Sequence, residues 1–365
     1  MVPLHGKQAF LRLYPAFGGF DERLEEPPHG PWVIVELFCA WAASILNGKI
    51  EQVQPICRAV IDVGTNSVKL LVAEVVDGKV IPLLEKSDQT RLGKGFYETH
   101  RLLPETIAQT AEAVGTFAQL ARTYGVEKVR TIATSAARDA LNQAELIEAI
   151  EAASSTRVEI ISGEQEAEWV FRGVSTDPRL QGHRLLILDV GGGSTEFILG
   201  ESEHHQFRQS FDVGSVRLFE QLGPGDPPGF QDLLNCRTWL REFFNGQIAP
   251  RLEHLLEVEA GTRAQLVGTG GTTTILARIQ HQLADFDREK IEGSRVTRSE
   301  VQEWMVQLWS ISLKERQKIV GLPPKRADII PMGVAIYEAV MEHFGFPDVY
   351  VSTRGLRFGA VMDPA

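Results

Sequence analysis

One motif occurs twice in this chain, and no other feature constrains the fold as strongly. Ala59-Val60-Ile61-Asp62 is a short apolar run ending in a carboxylate; the turn Gly64-Thr65-Asn66-Ser67 follows, then a second apolar run, Val68 to Val75. Leu185 to Asp189, the turn Gly191-Gly192-Gly193-Ser194-Thr195, and Glu196 to Leu199 repeat the pattern. Short apolar runs punctuated by glycine turns read as buried strands. Each copy therefore predicts a β-hairpin with an aspartate at its turn, and two copies predict two related lobes facing one another across a cleft.

With 365 residues, 43% of them hydrophobic, the chain can bury the cores of about two ordinary domains. Residues 1–57, rich in Pro, Gly and aromatics, are expected to be an extension. Residues 58–170 form the first expected domain and residues 171–351 the second, with residues 352–365 expected to pack back on the first. The net charge of −11 argues against general attraction to nucleic acid or anionic membrane. It leaves room for an anionic substrate, because a metal ion and a few arginines can make a concave site locally positive. Cys39, Cys57 and Cys236 form no CxxC pair and read as buried small hydrophobes. The run Trp32 to Leu46 is interrupted by Glu36 and starts far from Met1, so neither a membrane span nor a signal peptide is expected. A cytoplasmic enzyme is the expectation.

Elsewhere, Asp77-Gly78 predicts a hairpin turn. Ile107, Ala111, Val114, Phe117, Ala121 and Tyr124 form the apolar stripe of a helix between Pro104 and Gly125. Strands are expected at Val129 to Ala133 and Val158 to Ile161, with Asn142 capping a helix between them. A third strand-turn-helix runs from Gln265 through Gly270-Gly271-Thr272, and a helix from about Gly333 to His343 precedes a strand from Asp348 to Val351.

Glycine turns let backbone N–H groups converge on an anion, and a hydroxyl adds a donor. Gly64, Thr65, Asn66 and Ser67, the series Gly191, Gly192, Gly193, Ser194 and Thr195, and Gly270 and Gly271 are therefore candidate phosphate-binding residues. Asp62, Asp189 and Glu196 repel phosphate but can hold Mg2+ or its water shell against phosphate oxygens. One such turn alone reads as an ordinary hairpin; a pair across a cleft favours phosphate. Glu164 and Glu166 open a helix, where a carboxylate can deprotonate water or merely complement the helix dipole. Arg138 can clamp a phosphate or pair with Asp139. Arg91 and Lys94 are basic residues suited to tracking an anionic chain. The sequence has no P-loop, no G-x-S-x-G elbow and no H-E-x-x-H pair. His204 and His205, adjacent on a strand, point to opposite faces and cannot share a metal.

Taken in order, Ile61 to Ser67, Arg91 to Gly95, Ala133 to Ala140, Ile161 to Ala167, Asp189 to Glu196, Gly268 to Thr272 and Arg354 to Arg357 resemble the Ppx/GppA family of exopolyphosphatases and guanosine pentaphosphate phosphohydrolases. The resemblance covers about Arg58 to Met362. It implies an α/β, duplicated actin-like (ribonuclease H-like) two-lobed fold with an interdomain cleft, in the short two-domain form, and a homodimer. It further implies Glu166 as the general base, Asp189 and Glu196 on the Mg2+ side, and Arg138 on the transferred phosphoryl group. Gln165 stands where the family commonly has a second acid, and Thr353 where it frequently has Asp. The expected activity is stepwise removal of terminal orthophosphate from inorganic polyphosphate. The alternative substrate is guanosine pentaphosphate (pppGpp), cut at its 5′ γ-phosphate. A kinase of the same fold and a non-catalytic phosphate sensor are the competing classes.

Overall fold

Period-two alternation within each copy of the motif decides which way its side chains face. In β1 (Ile56–Val63), Ala59, Ile61 and Val63 enter a cluster formed with the helices Pro104–Arg122 and Gln143–Ser154, while Val60 enters a different cluster. The second copy divides in the same way. In β6 (Arg184–Val190), Leu186, Leu188 and Val190 join the core of the second half, and Leu185 and Ile187 join the cluster that also holds Val60. Strands buried on both faces explain why these runs are continuously apolar rather than alternating.

The structure is a computed structural model and describes residues 56–363 apart from Glu127, Glu203 and residues 258–262. The expected N-terminal extension, with Cys39 and the Trp32 to Leu46 run, lies outside the described residues up to position 55. Ile56 and Cys57, assigned to that extension, already belong to β1. No helix among the described residues is long and apolar enough to cross a membrane.

Two sheets share one plan. The first has the order β3-β2-β1-β4-β5, where β2 is Val68–Val76, β3 Lys79–Asp88, β4 Val129–Ala133 and β5 Val158–Ile160. The second has the order β10-β11-β9-β6-β7-β8, where β7 is Thr195–Glu201, β8 His204–Phe211, β9 Gln265–Thr269, β10 Arg295–Thr297 and β11 Asp348–Val351. In each, an antiparallel meander is extended by parallel strands beyond its first member, and the second sheet ends with β10 antiparallel to β11. This is the α/β, duplicated two-lobed fold expected from the repeated motif.

Between the sheets lie the helices Gly163–Ser175 and Leu356–Met362, whose Trp169, Val170, Phe171, Leu356 and Phe358 pack with Val60, Leu71, Ile187 and Ile198. The C-terminal helix is further held by Arg58, which donates to the carbonyls of Val361 and Met362 at 3.1 and 3.0 Å. Gly359 is needed at this crossing because a Cβ there would overlap the Trp169 backbone.

Two local expectations are corrected. Tyr124 is 40% exposed, because the helix ends at Arg122 and Tyr124 falls in the following turn rather than on the apolar stripe. Asn142 occupies the N-cap of the helix Gln143–Ser154 but makes no side-chain cap. Its amide instead pairs with both the N–H and the carbonyl of Leu102, and a side chain spent on another segment cannot also cap.

Candidate functional site

The same alternation aims the acids. Asp62 lies two residues beyond Val60, and Asp189 two beyond Ile187, so both project toward the layer between the sheets. Across each hairpin, Asp62 pairs in register with Lys69, and Asp189 with Glu196. The two turns are built alike: Gly64 N–H donates to the Ser67 carbonyl at 3.1 Å and Gly191 N–H to the Ser194 carbonyl at 3.0 Å. They also touch. A Cβ on Gly192 would lie 2.9 Å from Thr65 Cβ, and one on Gly193 would strike the hydroxyls of Tyr97, Ser135 and Thr65. Glycine is required at 192 and 193 for this approach of the two turns.

A cavity of about 420 Å3 opens beside them. Asp62, Asp189, Glu196 and Glu166 line it, as do Gly64 to Ser67, Gly191 to Ser194, and Gly270 and Gly271. Gly270, at φ +83°, turns the chain tightly past the Asp189 carboxylate, where a Cβ would collide. Glu166 reaches the cavity because Ser162 caps the helix Gly163–Ser175, its Oγ accepting from Gln165 N–H at 3.1 Å. This places the buried Glu166 in the first turn, facing inward, and leaves Glu164 exposed.

The remaining expected residues lie elsewhere. Arg138 does not line the cavity; its Nε lies 3.6 Å from Asp139 Oδ1, the expected pairing, and its Nη1 3.4 Å from Glu166 Oε2. Thr195 is buried with its hydroxyl donated to the Val213 carbonyl. Arg91 pairs with Asp328 at 2.8 Å and donates to the Lys325 carbonyl, and Lys94 is exposed in a turn. Neither basic residue borders the cavity.

Other residues enter the site unannounced. Lys69 is legible once the copies are aligned as DVGTNSVK and DVGGGSTE, for it stands where the second copy has Glu196. Arg326 comes from 259 positions away to donate to Ser67 Oγ at 2.8 Å, and it also abuts Gly271. Arg357 donates to the Leu70 carbonyl at 2.7 Å and pairs with Glu85. No local pattern marks Arg326 for this place, whereas Arg357 closes the Arg354 to Arg357 stretch already singled out in the sequence.

Crowding four acids into a buried space shifts them all. Burial pushes Glu166 well above the usual carboxylate range, reinforced by Glu196 and opposed by Arg138. Glu196 rises to about 7, through burial and then Asp189, with Ser210 and Ser194 holding it down. Asp62 and Asp189 are raised by burial and lowered by Lys69 and Arg357. Desolvation in turn lowers Lys69.

The polar groups left over suit a bound ion and phosphate. Asp62 Oδ1, Asn66 Nδ2 and Ser135 Oγ are buried without a hydrogen-bond partner, a costly state unless a ligand supplies one. Among the described residues no three His, Cys, Asp or Glu side chains form a ready-made metal cage.

Comparison with known proteins places this architecture. The sequence pattern of the Ppx/GppA phosphatase family matches residues 71–365. Exopolyphosphatase 2 of Mycobacterium tuberculosis is 33% identical over 325 residues, covering 84% of this chain and 98% of its own. The guanosine-5'-triphosphate,3'-diphosphate pyrophosphatase of Aeromonas hydrophila is 29% identical over 83% of this chain and 58% of its own length. Among solved structures, an exopolyphosphatase from Cytophaga hutchinsonii superposes with a TM-score of 0.74 at 30% identity, covering 83% of this chain and 96% of its own. An Aquifex aeolicus Ppx/GppA family member gives a TM-score of 0.67 at 30% identity, covering 84% and 96%.

Proposed function

The chain belongs to the Ppx/GppA phosphatase family and is a hydrolase of phosphoric anhydrides, and from that premise we propose that it removes terminal orthophosphate stepwise from inorganic polyphosphate with a divalent cation, Mg2+. The observation that carries this reading is the meeting of both acidic glycine turns and Glu166 on one cavity.

In this mechanism the backbone N–H groups of Thr65, Asn66 and Ser67 and of Gly192, Gly193 and Ser194, with the Thr65, Ser67, Ser135 and Ser194 hydroxyls, hold the oxygens of the terminal phosphoryl group. Asp62, Asp189 and Glu196 would hold the cation, which when bound neutralises phosphate charge and polarises the group under attack. Glu166 accepts a proton from the attacking water, whose oxygen bonds to the terminal phosphorus as the bridging P–O bond breaks. Lys69 and Arg326 offset the charge left on the departing chain, and Gly270 and Gly271 bring backbone donors to the same wall. Arg138, which does not border the cavity, acts on the transferred group through Glu166, whose carboxylate it orients. Arg91 and Lys94 could engage only a stretch of substrate outside the cavity.

Hydrolysis of guanosine pentaphosphate is the second reading, favoured by the apolar wall of Ile275, Phe286, Pro323 and Leu356, which a purely inorganic chain has no use for. Phosphate release from long-chain polyphosphate, tripolyphosphate, guanosine pentaphosphate and ATP, each with and without MgCl2, separates the readings. Fastest release from long chains is expected. Acceptor-dependent ADP formation would indicate a kinase, and binding without release a sensor.

The raised acids give the cation a pH signature. A carboxylate whose folded pKa exceeds its unfolded value of about 4 favours folding while protonated, and loses that contribution as pH rises through the folded value, about 7 for Glu196. The cation must displace those protons. MgCl2 should therefore raise Tm more at pH 7.5 than at pH 5.5, and an equal rise at both would remove these acids from the cation site.

A further inference from the structure

Ser210 stands on β8 directly opposite Glu196 on β7, and its Oγ donates to Glu196 Oε1 at 2.7 Å. The same serine is the floor under the helix that carries Glu166. A Cβ on Gly163, the first residue of that helix, would lie 2.5 Å from Ser210 Cβ. The glycine of the Ser162-Gly163 pair thus lets the helix end settle on Ser210. Further along, the ion pair of Arg208 with Glu168 and the edge contact of Phe171 with His205 join β8 to the same helix.

The consequence is geometric. A terminal carboxylate torsion is broad and roughly two-fold when nothing holds it, so an unanchored Glu196 would sample many orientations. With Oε1 engaged by a neutral hydroxyl, Oε2 is turned to a defined direction and no positive charge is set against the acid. An arginine in place of Ser210 would orient Glu196 equally well but cancel the charge a cation needs.

We propose that Ser210 is a positioning residue that orients Glu196 toward the divalent cation and, through Gly163, sets the spacing of that acid from Glu166; this rests on the reading that Glu196 serves the cation. The test titrates MgCl2 against wild type and Ser210→Ala, following both the cation-induced rise in Tm and phosphate release from polyphosphate. The half-saturating Mg2+ concentration should rise about 10-fold or more in Ser210→Ala by both readouts, as for other partners that orient metal ligands, with most of the rate recovered at saturating Mg2+. Ser210→Cys, similar in volume but a weak donor, should fall between the two and carries the test if the alanine variant does not fold. A half-saturating concentration equal to wild type in a folded variant overturns the proposal. A wild type whose Tm and rate both ignore Mg2+ overturns the cation reading itself, before any variant is compared.

Discussion

Glu166→Gln should lower phosphate release by about 10²- to 10⁴-fold, the range typical of removing a positioned general base, while anion binding and folding persist. Glutamine keeps the shape of the side chain and can still accept from Arg138, whose Nη1 lies 3.4 Å from Oε2 in the native protein. What it cannot do is take a proton. Because burial and Glu196 raise the Glu166 pKa, the wild-type rate should climb with pH along an acid limb as the base ionises. That limb should vanish from the residual rate of the variant. Single-turnover phosphate release together with calorimetric binding of tripolyphosphate checks both halves. Turnover at the wild-type level would place the base elsewhere, and loss of binding along with rate would mean that the substitution disturbs the cradle rather than the chemistry.

Asp189→Asn should separate stability from activity. Asp189 is raised by burial and by Asp62, and it in turn raises Glu196, so it contributes to a cluster of like charges held out of water. A neutral isostere relieves that repulsion. The cation-free variant is expected to be about 1 kcal/mol more stable than wild type, or roughly 1–2 °C in Tm for a chain of this length. Its activity should fall at least ~100-fold, since an acid expected to hold the cation, and with it several kcal/mol of charge stabilisation, is gone. Thermal melts without divalent cations and phosphate-release rates at high MgCl2 measure the two effects. A variant that is less stable and fully active would show that Asp189 serves the fold instead of the cation. Such an opposition is the usual mark of a functional site, where acids are kept close at a cost to stability.

Much of the site could be read in advance because its parts are local in sequence. Each acid sits at the end of an apolar run beside a glycine turn, so strand, turn and carboxylate orientation all follow from a few neighbouring residues. Glu166 was one of two acids at a helix start, and the cap by Ser162 with the phase of the helix turns it inward and Glu164 outward. Arg91 and Lys94 look equally suited to phosphate on charge alone. Their positions depend on what the turn Arg91 to Gly95 meets, and Arg91 meets Asp328 from a remote segment. The two copies are not equivalent, for the aligned positions Lys69 and Glu196 carry opposite charge.

By itself the sequence determined the two hairpins, their acidic turns and the burial of their strands, because periodicity and turn chemistry act over a few residues and need no partner. Only the tertiary structure decided that the turns touch, that Arg326 closes on Ser67 from 259 positions away, and that Ser210 lies beneath both Glu196 and the Glu166 helix. Those contacts join segments whose meeting is set by how two sheets pack on a shared pair of helices, and no local pattern encodes that packing.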